Sequence, residues 1–532
     1  MKKSLSFALV IIMIAVLFVS CGNPNSDKTE ETTAPEPITN LSKPDMAKWR
    51  YNEEFDIYYQ TGVGYSEKPA DEQYEQLAVF VPGAFFDESD NGDGTYTCKV
   101  SENSEINGYS AKSAPILMPI ETPGYASAMA LTDEILTTRK GIFEQFCEYT
   151  SQGFVLVLSG CRGINEGAPA GVTDLKAAIR YIRYADDVLA GDAESIFVYG
   201  MSGGGAQAAI LGASGDSELY DPYLEAIGAV QGVSDAVQGV MAWCPVTNLD
   251  TANAEYEWMM GCTRSKRSDE LNAISDKLAH AYAAYVNQAG FTDEDGKSLT
   301  LTESKEGIYQ AGSYYDYVKA VIEASLNHYL SDRGFTADSA KSYIDGLNTD
   351  KNWISYDKRT NTATITSVAD FAKHCKTASD LPVAFDGLEG KNALFGSSEG
   401  ERSHFDRILS DILTEMNSEY AADFAADLAK SDSFGNTVET RVNLYSPLYY
   451  LMKSREGCGT SNVAKYWRIR TGIEQKTNSL TTEINLALAL KSCDKVDNVD
   501  FETVWAQEHT EAERSGDSTE NYIKWVNACM KG

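Results

Sequence analysis

The segment Ile196-Phe-Val-Tyr-Gly-Met-Ser202-Gly-Gly-Gly-Ala-Gln-Ala-Ala-Ile-Leu-Gly-Ala213 restricts the fold more than any other part of this chain. An apolar run leads to a serine in a G-x-S-x-G frame, and a small-residue helical stretch follows directly. That order reads as strand, tight turn and helix, with the serine backbone strained and its hydroxyl presented above a parallel sheet. Gly200 and Gly204 carry no Cβ, so strand and helix can approach closely at the turn. Ser202 is therefore a candidate nucleophile. The alternative is a plain glycine-rich βα turn.

From Leu77 to Tyr199 strand and helix signals alternate. Leu77–Val81, Ala114–Ile120 and Gly153–Ser159 are strand candidates, the second weakened by Pro115 and Pro119. Residues 87–94 read as a polar hairpin or loop. Residues 139–151 and 172–189 read as helices, the latter with apolar positions at Leu175, Ala178, Ile179 and Ile182. Ala242–Val246 supplies the strand expected after the nucleophile helix. Strands separated by crossover helices make a mostly parallel, doubly wound sheet covered on both faces. The expected class is α/β, of the α/β-hydrolase type, with its core in residues 47–247 and 444–532.

Residues 248–443 differ in character, being acidic, polar and mostly helical. Val318, Val321, Ile322 and Leu326 stripe a helix over 317–330, and Phe405, Ile408, Leu409, Ile412, Leu413 and Met416 stripe another over 404–416. Such stripes are core faces. The segment starts just past a strand end, where ligand-facing loops leave a doubly wound sheet. It is expected to be a large, mainly helical cap inserted into the core, shaping the pocket, excluding water and opening as a unit.

At the other end, Lys2 and Lys3 precede an apolar run from Phe7 to Val19. The run is shorter than the roughly 20 residues of a comfortable membrane span, so residues 1–20 read as an export signal. Leu17-Phe-Val-Ser-Cys21 resembles the bacterial lipoprotein signal, which implies cleavage before Cys21 and acyl chains on it. Residues 21–46, rich in Asn, Thr, Glu and Pro, would then be a tether. A retained N-terminal anchor is the alternative. Either way the body is expected outside the cytoplasm, at the cell surface or periplasmic face, and meets the membrane only through lipid. A formal charge of −33 makes nucleic acid an unfavourable partner. The ten cysteines include no C-x-x-C pair, so disulfides are permitted without being implied and no metal site can be read.

A serine nucleophile needs an imidazole to take its proton and a carboxylate to fix the ring's tautomer. In this fold class the three follow in the order Ser, acid, His. Of five histidines, His280, His328, His374 and His404 fall in the insertion, which leaves His509, in a loop before the final helix. Its other reading is a surface loop histidine. The acid should follow the preceding strand, Tyr466–Arg470. Glu474 is the first carboxylate past it, with Asp494, Asp497 and Asp500 as rivals. The oxyanion hole needs two amides. Gly203 supplies one, and Gly124 or Tyr125, in the loop after Ile120, the other; the ordinary reading of that loop is a Pro-Gly turn. Arg162, after another strand, is best read as part of an internal salt bridge.

Gly160–Gly163, Ala168–Tyr184, Gly191–Glu194, the Ser202 motif and Pro245–Asp250 together resemble the bacterial tannases and their tannase-like relatives. The likeness continues through Ala384–Asp386, Asn392–Gly396, Tyr445–Tyr449, Trp467–Asn478 and Trp505–His509, so it covers the chain from about Asp71 onward. The resemblance implies an α/β-hydrolase with a large cap that hydrolyses esters of phenolic acids such as gallate, with Ser202, Glu474 and His509 as nucleophile, acid and base. There are two departures. The family has aspartate where this chain has Glu474. Two residues later it has a second aspartate, on the galloyl hydroxyls, where this chain has Lys476. That exchange removes an acceptor for phenolic O–H donors, so gallate turnover is discounted while ester hydrolysis is retained. Lys476 instead suits a carboxylate or sugar hydroxyls. The resemblance also implies gallate-contacting residues in the cap, in the region of Lys376 and Glu389.

The expected chemistry is hydrolysis of a small-molecule ester through an acyl-enzyme, with no metal or organic cofactor. An extracytoplasmic serine peptidase and a surface lipoprotein that binds through a decayed hydrolase scaffold are the alternatives.

Overall fold

A computed structural model describes residues 37–264, 268–376, 390–396 and 401–532. The leader, Cys21, most of the tether, Glu389 and Ala384–Asp386 lie outside the described residues.

Nine strands form the main sheet: β1 (Arg50–Asn52), β2 (Ile57–Gly64), β3 (Gln76–Pro82), β4 (Pro115–Ile120), β5 (Val155–Ser159), β6 (Asp192–Met201), β7 (Gly239–Trp243), β8 (Tyr466–Gly472) and β9 (Asn498–Val504). Their order across the sheet is β1-β2-β3-β5-β4-β6-β7-β8-β9. Pairing is antiparallel from β1 through β5 and parallel from β5 to β9. Helices Ile142–Thr150, Ala170–Tyr184, Gly203–Ala213, Thr481–Lys491 and Ser518–Cys529 connect or follow these strands. The sheet interior is correspondingly apolar, with Leu117, Val157, Val198, Val240 and Ile469 all buried.

Strands β1 and β2 lie outside the sequence-based expectation because β1 is only three residues long and because Gln60, Thr61 and two glycines interrupt the apolar pattern of β2. β7 starts and ends three residues earlier than read; Pro245 lacks the N–H that a central ladder requires. Residues 87–94 do lie in a hairpin, Phe86–Asp90 against Tyr96–Val100.

Between β7 and β8 the chain builds helices Ala252–Met260, Asp269–Ala289, Ser313–Asp332, Ala337–Leu347, Val368–Cys375, Arg407–Glu415, Ala421–Leu428, Val438–Leu444 and Pro447–Leu451, and a hairpin of Ile354–Asp357 with Thr362–Ile365. His404 stands outside the helix expected over 404–416, because Asp406 caps it by accepting from the Leu409 N–H. Buried polar contacts fasten this segment to the sheet layer. Tyr314 donates to Asn485 Oδ1 at 2.6 Å, Asn485 Nδ2 donates to the Tyr282 hydroxyl at 3.0 Å, and Ser325 donates to the Thr503 carbonyl at 2.8 Å. Residues 37–532 form a single compact unit. The nine described cysteines are free thiols.

Candidate active site

β6 runs straight into Ser202, whose φ of 59° and ψ of −117° lie where L-residues are strained. The Ser202 N–H donates to the Trp243 carbonyl at 2.9 Å, tying the turn to the end of β7. Helix Gly203–Ala213 then passes beneath it, buried along its whole length. The glycines are needed: a Cβ on Gly204 would sit 2.0 Å from the Ile120 carbonyl oxygen, and one on Gly200 would sit 2.6 Å from the Gly204 carbonyl carbon.

His509 comes from the loop after β9 and reaches Ser202, with Nε2 at 2.8 Å from Oγ. Gly472, at the end of β8, admits this loop, since a Cβ there would lie 1.8 Å from the Glu508 carbonyl oxygen. The loop is also held by the Glu474 N–H on the Gln507 carbonyl at 2.9 Å, and by Gln507 Nε2 on the Glu513 carbonyl at 2.8 Å. The other four histidines stand elsewhere. His328 meets Glu502, His404 meets Asp427, His374 stacks on Trp353 and His280 packs edge-on against Tyr309.

The position expected for Glu474 is held by Gln475, whose Oε1 lies 2.9 Å from His509 Nδ1. A turn after β8, in which the Gln475 N–H donates to the Gly472 carbonyl at 3.2 Å, points residue 475 inward. Gln475 is 1% exposed, whereas Glu474 is half-buried beside Glu508. Burial first, and then Glu508, raise the Glu474 carboxyl above the ordinary carboxylate range, against Lys376 and Lys476. Gln475 carries no carboxylate, so residue type alone does not single it out. The usable signal was position: the third residue past the strand end, ahead of Thr481–Lys491.

The Gln475 amide sits in a network that distinguishes its two ends. Nε2 donates to Thr471 Oγ1 at 2.9 Å and to Glu483 Oε1 at 2.6 Å. Oε1 faces donors, Asn478 Nδ2 at 3.2 Å and His509 Nδ1. Thr471 also donates to Glu483 Oε1, at 2.9 Å. With the oxygen toward His509, Nδ1 carries the proton and Nε2 is left free to accept from Ser202.

Gly203 lies against the turn that follows β4, which holds Gly124 and Tyr125. Gly203 opens its helix against this turn, where an added Cβ would meet Tyr125 N at 2.5 Å and Gly124 N at 3.0 Å. The Tyr125 N–H donates to the Thr122 carbonyl at 2.9 Å, so of the two candidates for the second donor only Gly124 keeps an uncommitted N–H. Gly124 has a φ of 60°, a conformation suited to glycine. Arg162 is engaged by Asp174, with Nη2 at 2.6 Å, and is not a free substrate contact.

Lys476 pairs with Glu508 at 3.0 Å, both largely exposed. Lys376 is buried and donates from Nζ to the Gln475 carbonyl at 3.0 Å, so it supports the loop from below. Burial pulls its pKa down to about 8, against the pull of Glu483. No group of three or more His, Cys, Asp or Glu among the described residues is placed to hold a metal ion.

Solved structures match the chain over nearly its whole length. Tannin acyl hydrolase from Lactobacillus plantarum is 25% identical, with 92% of this chain and 98% of that one covered at a TM-score of 0.69. Fusobacterium nucleatum tannase is 27% identical, covering 92% and 99% at 0.70. The chain is a tannase-like α/β hydrolase. A tannin acyl hydrolase in complex with 3,4-dihydroxybenzoate matches this hydrolase at 26% identity, over 89% and 94% of the two chains, with a TM-score of 0.69. The BD-FAE family model matches its residues 129–295. No curated protein matches its sequence.

Proposed function

We propose that this tannase-like hydrolase cleaves small carboxylic esters, phenolic-acid esters among them, through an acyl-enzyme on Ser202. The observation that carries the reading is the 2.8 Å contact of His509 Nε2 with the hydroxyl of a serine strained at the end of β6. His509 takes the Ser202 proton as Oγ attacks the ester carbonyl. The Gly203 and Gly124 amides stabilise the oxyanion. His509 then protonates the departing alcohol, and water repeats the sequence on the acyl group. Gln475 stands where a carboxylate is usual. It fixes the ring's tautomer and supplies no charge to the imidazolium, so slow turnover is expected.

Residues 248–443 serve as the cap over this site, with Lys376 beneath the Gln475 loop and Lys476 at its rim. We also propose that the mature chain begins at an acylated Cys21 and works outside the cytoplasm; no helix among the described residues is long and apolar enough to cross a membrane. Metabolic labelling with an alkynyl fatty acid should mark the wild type and not Cys21→Ser.

The functional test is turnover of short p-nitrophenyl esters and methyl gallate by the purified protein, with Ser202→Ala as the blank. Turnover lost in Ser202→Ala supports the reading. Equal rates for wild type and Ser202→Ala on both substrates would refute it. Gallate turnover would locate the acyl specificity, despite Lys476.

A further inference from the structure

We infer that Glu483 is a positioning residue of the catalytic apparatus: through the amide of Gln475, its carboxylate decides which ring nitrogen of His509 carries the proton. The inference rests on the reading of Ser202 and His509 as nucleophile and base, and it adds a residue outside the Ser-His contact.

An amide has nearly the same shape in either orientation, so packing alone does not choose which end of Gln475 faces the imidazole. Chemistry chooses it. A carboxylate only accepts hydrogen bonds, and Glu483 Oε1 lies 2.6 Å from Gln475 Nε2. Turning the amide over would bring two oxygens together at that distance and set the NH2 against Asn478 Nδ2, itself a donor. It would also present an N–H to His509 Nδ1. The imidazole would then hold its proton on Nε2, where a base must be free to accept from Ser202. Misorientation of this kind at the third member of a triad costs about 10⁴ in kcat in a serine protease. Here the amide is tolerable because a second side chain holds it the right way round.

Glu483 is an unusual residue to bury for structure alone. It is 1% exposed, its Oε1 accepts from Thr471 and Gln475, and its Oε2 has no hydrogen-bond partner. Buried carboxylates are ordinarily satisfied on both oxygens. The Thr471 hydroxyl is spent on the same oxygen, so Glu483 Oε1, Thr471 and Gln475 form a closed triangle directed at His509.

The test uses the full chain, a short p-nitrophenyl ester and ¹⁵N-histidine labelling; five histidines keep the NMR spectrum tractable. Three proteins are compared: wild type, Glu483→Leu, and the exchange Gln475→Glu/Glu483→Gln, which puts the carboxylate directly on His509 and the amide behind it. We expect wild-type His509 to be protonated on Nδ1. Glu483→Leu should lower kcat at least tenfold with KM within twofold, and should shift His509 toward the Nε2–H tautomer. The exchange should restore both kcat and the Nδ1–H signal. Wild-type kcat in folded Glu483→Leu, or a loss of kcat with the Nδ1–H tautomer intact, would overturn the inference. So would an exchange variant that folds and is no faster than Glu483→Leu. If the wild type has no Ser202-dependent turnover, the functional reading fails by itself. The tautomer signals then still decide the coupling between Glu483 and His509, a shift in Glu483→Leu supporting it and an unchanged spectrum refuting it.

Discussion

At position 483 burial opposes ionisation. The enclosed carboxyl has its pKa pushed up to about 7 from 4.5 by desolvation, with Gln475, Lys376 and Thr471 pulling it back. The folded state therefore binds this proton more tightly than the unfolded state. The group's contribution to stability falls as pH rises from about 4.5 to about 7, and stays lost above that. Lys376, with its pKa near 8, has lost its charge by pH 9 and no longer attracts the carboxylate. Glu483→Gln should thus be more stable than wild type at pH 9 by about 3 kcal/mol, and close to it at pH 5. Urea melts at the two pH values check this; a variant less stable at pH 9 contradicts it. A gain in stability at the expense of turnover is the behaviour of a residue kept for function.

Among the elements, the junction of β8 with the His509 loop depends on the bare backbone of Gly472. A methyl there would fall 1.8 Å from the Glu508 oxygen and 2.6 Å from the Gln507 oxygen, both main-chain atoms of the loop that carries His509. Gly472→Ala must move that loop, and a shift of about 1 Å at a catalytic group costs on the order of 10²-fold. We expect kcat to drop by about that factor with KM little changed, as steady-state kinetics on a p-nitrophenyl ester will show. At the Ser202 turn the same substitution acts on folding. Gly204→Ala places a Cβ 2.0 Å from the Ile120 oxygen, between two packed backbones. It should destabilise the chain by about 3 kcal/mol, the upper range for overpacking, measured by chemical denaturation.

In the whole molecule, the segment between β7 and β8 is built into the core. Helix Ala252–Met260 is buried along its length, and Thr482 donates to Glu255 Oε1 at 2.5 Å beneath it. Asn248 donates to the Thr482 carbonyl at 3.1 Å, and Arg514 reaches Asp332 at 2.9 Å from the other side. Opening the entire segment would break these contacts together, the two to Thr482 being buried. Thermal unfolding followed by calorimetry should accordingly show one transition for residues 37–532, coincident with loss of esterase activity. Two resolved transitions would show that the segment melts by itself.

The sequence alone determined the features carried by local pattern. The order strand, serine turn and small-residue helix, the crossover helices before it and the apolar stripes of the insertion follow from periodicity and from where glycine and proline stand. His509 was legible by elimination among five histidines and by chain order. Tertiary structure decided which side chain meets His509 Nδ1. One residue of register after β8 separates Glu474 from Gln475, and the turn geometry there, not residue type, sets which side chain points inward. Glu483 lay further from view, on a helix face that reads as ordinary core. Its carboxylate gains a role only when the fold brings β8, helix Thr481–Lys491 and the His509 loop to one point, because hydrogen-bond direction is a property of that meeting and not of any segment by itself.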